Sequence, residues 1–91
     1  MIKNVPQKIS VLGAGSWGTA VALALAFKGH QVILWARNIE HVEDMQHHRC
    51  NKRYLPDVKF PINLQITHDL KQALNSPNIL IAVPSHAFSD L

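Results

Sequence analysis

The stretch Gly13-Ala14-Gly15-Ser16-Trp17-Gly18 constrains this chain more than any other part of it. It lies between an apolar run, Ile9 to Leu12, and an alanine-rich run that begins at Ser16. A short apolar run ahead of the first glycine reads as a buried parallel strand. The spacing then predicts a helix over 16–28, with Gly18, Val21, Ala22 and Leu25 at i, i+3, i+4 and i+7 forming the face that lies on a sheet. Alanines at 20, 22, 24 and 26 favour that helix and keep its surface slim, and Gly29 stands where a left-handed cap is expected. A strand, a Gly-x-Gly-x-x-Gly turn and a helix in that order are the context in which such a turn binds nucleotide phosphates.

Each glycine has a separate task in that reading. Gly13 permits the tight turn, Gly15 lets the backbone approach a pyrophosphate, and Gly18 lets the helix pack close to the strand. The N–H groups of Ser16, Trp17 and Gly18, aided by the helix dipole, would face the phosphates, and the Ser16 hydroxyl can add one more hydrogen bond. The alternative is a glycine-rich turn without a ligand. Trp17 has two readings, a wedge against the sheet or a wall of the cofactor cleft; its place at the ligand-facing helix terminus favours the cleft.

The next apolar run, Gln31 to Ala36, is a second buried strand, and Arg37 follows it. Chains of this kind that bind NAD often carry an acid here to hold the adenosine ribose. Ala36, Arg37 and Asn38 include none. A guanidinium instead pairs with a 2′-phosphate through charge-assisted hydrogen bonds, which favours NADPH and leaves NADH tolerated. The competing reading is an exposed Arg37 that stacks on adenine and reads no phosphate.

Asn38 is a plausible N-cap for a helix from Ile39 to His48, with Glu40 in its first turn. Residues 50–63, with Pro56 and Pro61, read as a loop. Leu64 to Thr67 is a short third strand, Asp69 to Asn75 a third helix, and Asn78 to Val83 a fourth strand stopped by Pro84. The order β-α-β-α-β-α-β with right-handed crossovers predicts an α/β fold, a truncated Rossmann-type doubly wound parallel sheet. The chain stops at Ser85-His86-Ala87-Phe88-Ser89-Asp90-Leu91, where a helix should begin. Residues 1–91 are therefore expected to be the N-terminal portion of such a domain. Its fourth strand would be an unpaired edge, open to a second copy of the chain, and a homodimer follows as an expectation.

Composition narrows the partners. The net charge of +3 arises from nine basic and six acidic residues that are scattered, with only Lys52 and Arg53 adjacent, which argues against a nucleic-acid surface. The continuous apolar part of the first helix, Ala20 to Phe27, is far short of the ~20 residues that span a bilayer. One cysteine, Cys50, forms no internal disulfide, in keeping with a reducing cytoplasm. His41, His47, His48 and Cys50 invite a metal reading, but His41 and His48 stand about 10 Å apart along a helix axis and no tetrahedral set converges. All four are read as polar positions on a solvated helix, and His86 as a solvated loop histidine. No catalytic residue is expected within the 91.

The segments Val11 to Ala20, Gly29 to Arg37, Arg49 to Pro61 and Ala82 to Phe88 together resemble the N-terminus of the bacterial NAD(P)-dependent glycerol-3-phosphate dehydrogenase family. The likeness runs from about Ile9 to the last residue. Its specific parts are Asn51, Tyr54, Leu55 and Pro56 and the turn Val83-Pro84-Ser85-His86. The resemblance implies reduction of dihydroxyacetone phosphate by NAD(P)H to sn-glycerol 3-phosphate, for phospholipid synthesis. It implies that Ser16 and Trp17 hold the cofactor and Arg37 its adenosine end. It also implies that Tyr54 lines the cofactor site and that Pro84 passes near the nicotinamide end. The family's catalytic lysines and substrate phosphate ligands lie in later segments, including a helical C-terminal domain. The 91 residues alone are therefore expected to bind cofactor without catalysis. Two other readings stand beside this one: another NADPH reductase of the same fold, of the ketopantoate type, and a non-catalytic NADP(H)-binding module. The segments around Tyr54 and Pro84 argue against the first.

Overall fold

The protein is described by a computed structural model over residues 5–82. Val83, Pro84 and His86, each assigned a place from the sequence, lie outside the described residues. Four strands, β1 (Lys8–Leu12), β2 (Gln31–Trp35), β3 (Leu64–Thr67) and β4 (Asn78–Ile81), form one sheet in the order β3-β2-β1-β4. Every pairing is parallel. The helices α1 (Ser16–Phe27), α2 (Ile39–His48) and α3 (Leu70–Leu74) fill the crossovers, so the α/β order expected from the sequence is the one observed.

Register explains the two faces. Val11 lies beside Leu34 and Leu80, and Leu34 beside Ile66, so these four side chains form one row across the sheet. A second row runs through Ile9, Val32 and Leu64. Val11, Leu34, Val32 and Leu64 are essentially sealed from solvent, in one cluster with Ala22, Leu23 and Ala26 of α1 and Val42 and Met45 of α2. The opposite face carries Ser10, Ile33, Trp35 and Thr67 and receives α3. There Ser10 Oγ donates to Ser76 Oγ at 2.7 Å, and Thr67 Oγ1 donates to Gln72 Oε1 at 3.0 Å.

From β1 the chain moves outward through β2 to β3, then returns across the sheet through α3 and pairs β4 on the other side of β1. The two directions of travel part at the C-terminal ends of β1 and β4. In open α/β sheets that parting is where ligands bind. Since β4 is an edge among the described strands, Ile79 and Ile81 remain exposed.

Caps follow the residue types. Asn38 Oδ1 accepts from His41 N–H at 2.9 Å and opens α2. Asp69 Oδ1 accepts from Lys71 N–H at 3.0 Å and opens α3. Gly29 has φ of 99°, a value that ends α1 without steric cost only in glycine.

The face of α1 differs from expectation. Gly18, Thr19, Ala22, Leu23 and Ala26 are buried, while Val21 and Leu25 are only half-buried. An apolar helix has no strong period of its own, so its contacts set the rotation. Here Gly18 docks on Gly13, and Thr19 meets Asn51. A second correction concerns Cys50, which is buried in the core instead of solvated. His41 is half-buried and bonded, also unlike a solvated helix position. β2 ends at Trp35, one residue earlier than expected, although Ala36 N–H still donates to Thr67 O at 3.1 Å.

The expected energetic weight of the core is testable. Leu34→Ala should lower stability by about 3 kcal/mol, the usual cost of emptying a sealed leucine site. Ile62→Ala, at a side chain that is 94% exposed, should change it by less than about 0.5 kcal/mol. Urea denaturation midpoints measure both.

Candidate nucleotide-binding site

The turn between β1 and α1 is held by backbone contacts that tolerate almost no substitution. Gly13 has φ of 119°, a conformation open to glycine and strained for other residues. Its N–H donates to Trp35 O at 2.8 Å, which ties the turn to the end of β2. A Cβ on Gly18 would overlap the Gly13 carbonyl oxygen and crowd Ala82 Cβ at 3.1 Å. Helix, first strand and the end of the fourth strand thus meet at a point where only a hydrogen fits.

Gly15 is different. Its φ of −74° and ψ of −170° suit any residue, and a Cβ built there meets nothing within 4 Å. Gly15 therefore borders open space. It is also the N-cap of α1, which has no side-chain cap bond and no acid in its first turn. Most helices satisfy their first N–H groups with a Ser, Thr, Asp or Asn cap. Here the first turn closes only with Thr19 N–H donating to Gly15 O at 3.0 Å. Among the described residues no backbone carbonyl accepts from Gly15, Ser16, Trp17 or Gly18 N–H. An uncapped helix start facing open space at the parting of the strands has the donors, the dipole and the room for a phosphate group.

The structure places Gly13, Gly15, Ser16, Trp17 and Gly18 together in this turn, and Arg37 two residues beyond Trp35, the residue to which the turn is bonded. Ser16 is exposed at the first position of α1. Trp17 is 60% exposed, so it is no wedge against the sheet; it stands out from the helix terminus. Arg37 is exposed, with no hydrogen-bond or ion-pair partner among the described residues. Tyr54 is 43% exposed and lies on a turn whose ring faces His41, the ring centroids being 6.4 Å apart. Pro84 lies outside the described residues.

Sequence reasoning marked Asn51 through the family resemblance but missed that it joins these parts. Asn51, on the α2–β3 connection, is completely buried beneath the glycine turn. Its Nδ2 donates to Ala14 O at 3.0 Å and to Thr19 Oγ1 at 2.8 Å, while its Oδ1 lies 3.1 Å from His41 Nε2. A carbonyl oxygen only accepts, so the Ala14 contact fixes which end of the carboxamide is NH₂. Oδ1 is then an acceptor, and His41 carries its proton on Nε2. The backbone carbonyl of Asn51 also accepts from Leu55 N–H at 2.7 Å and Tyr54 N–H at 3.3 Å, which shapes the turn bearing Tyr54. Asn51 was marked only as part of the family resemblance; its burial and its joining role had no local signal, in a loop without periodicity.

Parallel order, switch point and glycine turn together define a Rossmann-type α/β domain. The profile of the family described as NAD-dependent glycerol-3-phosphate dehydrogenase N-terminus matches residues 8–91, and the chain belongs to that family. A glycerol-3-phosphate dehydrogenase [NAD(P)+] of Aeromonas salmonicida is 51% identical over 84 residues, which cover 91% of this chain and 25% of that protein. The crystal structure of glycerol-3-phosphate dehydrogenase from Coxiella burnetii superposes with a TM-score of 0.86 at 50% identity, over 93% of this chain and 26% of that one. A glycerol-3-phosphate dehydrogenase structure from Plasmodium falciparum gives 0.77 at 27% identity, over 93% and 27%. The chain thus spans about a quarter of the length of the curated relatives it matches.

Two glycines should respond in opposite ways. Gly18→Ala should destabilise the fold by about 3 kcal/mol, because the opposing atom is backbone and cannot rotate away. Gly15→Ala should leave the unfolding free energy within about 0.5 kcal/mol of the parent. It should nevertheless weaken NADPH binding at least about tenfold, its methyl standing where phosphate oxygens approach. Urea melts and calorimetric titration separate the two effects.

Proposed function

We propose that this chain holds a nicotinamide dinucleotide, NADPH in preference to NADH, for the reduction of dihydroxyacetone phosphate to sn-glycerol 3-phosphate. The observation that carries this reading is the uncapped start of α1, whose first N–H groups have no backbone acceptor among the described residues, with open space beside Gly15 where a Cβ would stand. In this reading Gly15, Ser16, Trp17 and Gly18 hold the pyrophosphate through N–H groups and the Ser16 hydroxyl. Trp17 and Tyr54 wall the cleft, with Pro84 toward the nicotinamide end. When bound, the dinucleotide supplies the hydride. The names of the relatives support the substrate pair, and the wider role is supply of glycerol 3-phosphate to phospholipid synthesis in the cytoplasm. No helix among the described residues is long and apolar enough to cross a membrane. Among the described strands β4 is an edge, and this edge offers a surface through which two copies can pair.

Arg37 supports the preference for NADPH. Its guanidinium, without a partner among the described residues, follows the strand end to which the glycine turn is bonded, where a carboxylate would have repelled a 2′-phosphate. A charge-assisted pair contributes about 1.5–3 kcal/mol before the screening that an exposed site imposes. A preference of roughly tenfold to a hundredfold is the corresponding expectation.

Tryptophan fluorescence tests this directly, with Trp17→Phe separating its signal from that of Trp35. The expected result is saturable quenching by both nucleotides, tighter for NADPH. Arg37→Ala should then weaken NADPH by roughly tenfold to a hundredfold and leave NADH nearly unchanged. Equal affinity for both nucleotides in the parent chain would refute the 2′-phosphate role of Arg37.

A further inference from the structure

We infer that Asn51 is a positioning residue that aims the Gly15 N–H at the nucleotide phosphate, with His41 holding its carboxamide oxygen in place. This rests on the dinucleotide reading above and extends it to residues that touch no ligand. The argument starts from the peptide joining Ala14 and Gly15, which is trans like every other peptide bond described. In a planar trans peptide the C=O and the N–H point in opposite directions. Asn51 Nδ2 draws the Ala14 carbonyl inward at 3.0 Å. The Gly15 N–H must therefore point outward, away from Asn51. No backbone acceptor among the described residues claims it.

The side chain of Asn51 has little freedom to do otherwise. Both of its N–H donors are engaged, one by Ala14 O and one by Thr19 Oγ1, and its oxygen accepts from His41 Nε2–H. Rotating the amide by half a turn would set Oδ1 against the Ala14 carbonyl, two acceptors in contact. The Thr19 hydroxyl and the His41 ring can each donate or accept, so it is the Ala14 carbonyl that fixes the orientation, and the other two contacts follow it. The residue is completely buried, so water cannot replace what is lost. Thr19 lies on α1 and His41 on α2, and the Asn51 backbone carbonyl organises the turn that bears Tyr54. One asparagine thus sets the phosphate turn, the start of α1 and the Tyr54 rim in a fixed relation.

The test uses Asn51→Asp, which keeps the shape and, while ionised, cannot donate to Ala14 O, and His41→Phe, which keeps a ring and loses the donor. NMR of the labelled chain reads the Gly15 and Ser16 amides without ligand, and calorimetry reads NADPH. Expected are displaced Gly15 and Ser16 amide resonances in both variants, with α3 and β3 unmoved. NADPH affinity should fall about tenfold or more in Asn51→Asp and severalfold in His41→Phe. His41→Gln, whose amide can again donate to Oδ1, should recover most of that loss. If Asn51→Asp does not fold, the His41 pair carries the test. Folded variants with parent-like Gly15 and Ser16 amides and parent-like affinity would overturn the proposal. Failure of the parent chain to bind either nucleotide would overturn the dinucleotide reading. The ligand-free amide resonances would still decide whether Asn51 aims the turn.

Discussion

Position 18 admits no side chain, and the arrangement of the molecule follows from that. With only a hydrogen on Gly18, the start of α1 settles on the Gly13 carbonyl and against Ala82 at the end of β4. The close approach brings the N-terminal turn of a helix to the place where the paths of β1 and β4 diverge. A methyl group there would push the helix off the strand. It would also separate the free N–H groups from the sheet edge that frames them.

Longer polar side chains then stitch the rest to this contact. Asn63 Nδ2 donates to both Ala26 O and His30 O at 2.7 Å, closing the C-terminal end of α1. Arg49 adopts a left-handed conformation with φ of 55° and ends α2. Its guanidinium donates to Pro61 O and Leu64 O while lying over the Phe60 ring. The connection over residues 49–63 is therefore not slack chain. Through Asn51, Arg49 and Asn63 it fastens α1, α2 and β3 to one another. Of these bonds, those of Asn51 are buried and those of Arg49 and Asn63 half-buried, and together they add directional specificity to the apolar packing.

Much of this was legible from local patterns. α2 and β3 have the bounds expected, α2 from its Asn38 cap and β3 as a short strand over Leu64–Thr67, because capping and strand chemistry act over a few residues. The glycine turn was equally legible, since its backbone demands are met by particular residues at fixed spacing. The errors share a cause. The rotation of α1, the burial of Cys50 and the bonding of His41 all depend on partners far along the chain. An apolar helix offers no polar stripe from which its buried face could be read.

The sequence by itself determined the order of elements and the place of the glycine turn, because these are set by backbone sterics and short-range hydrogen bonding, and the crossovers between strands left the parallel sheet as their outcome. Only the tertiary structure decided what holds that turn in position. Ala14 and Asn51 are 37 residues apart, and no local rule pairs a carbonyl in one loop with a carboxamide in another. That pairing exists because folding buries both groups at one point, where each must find a partner or forfeit its hydrogen bond to water.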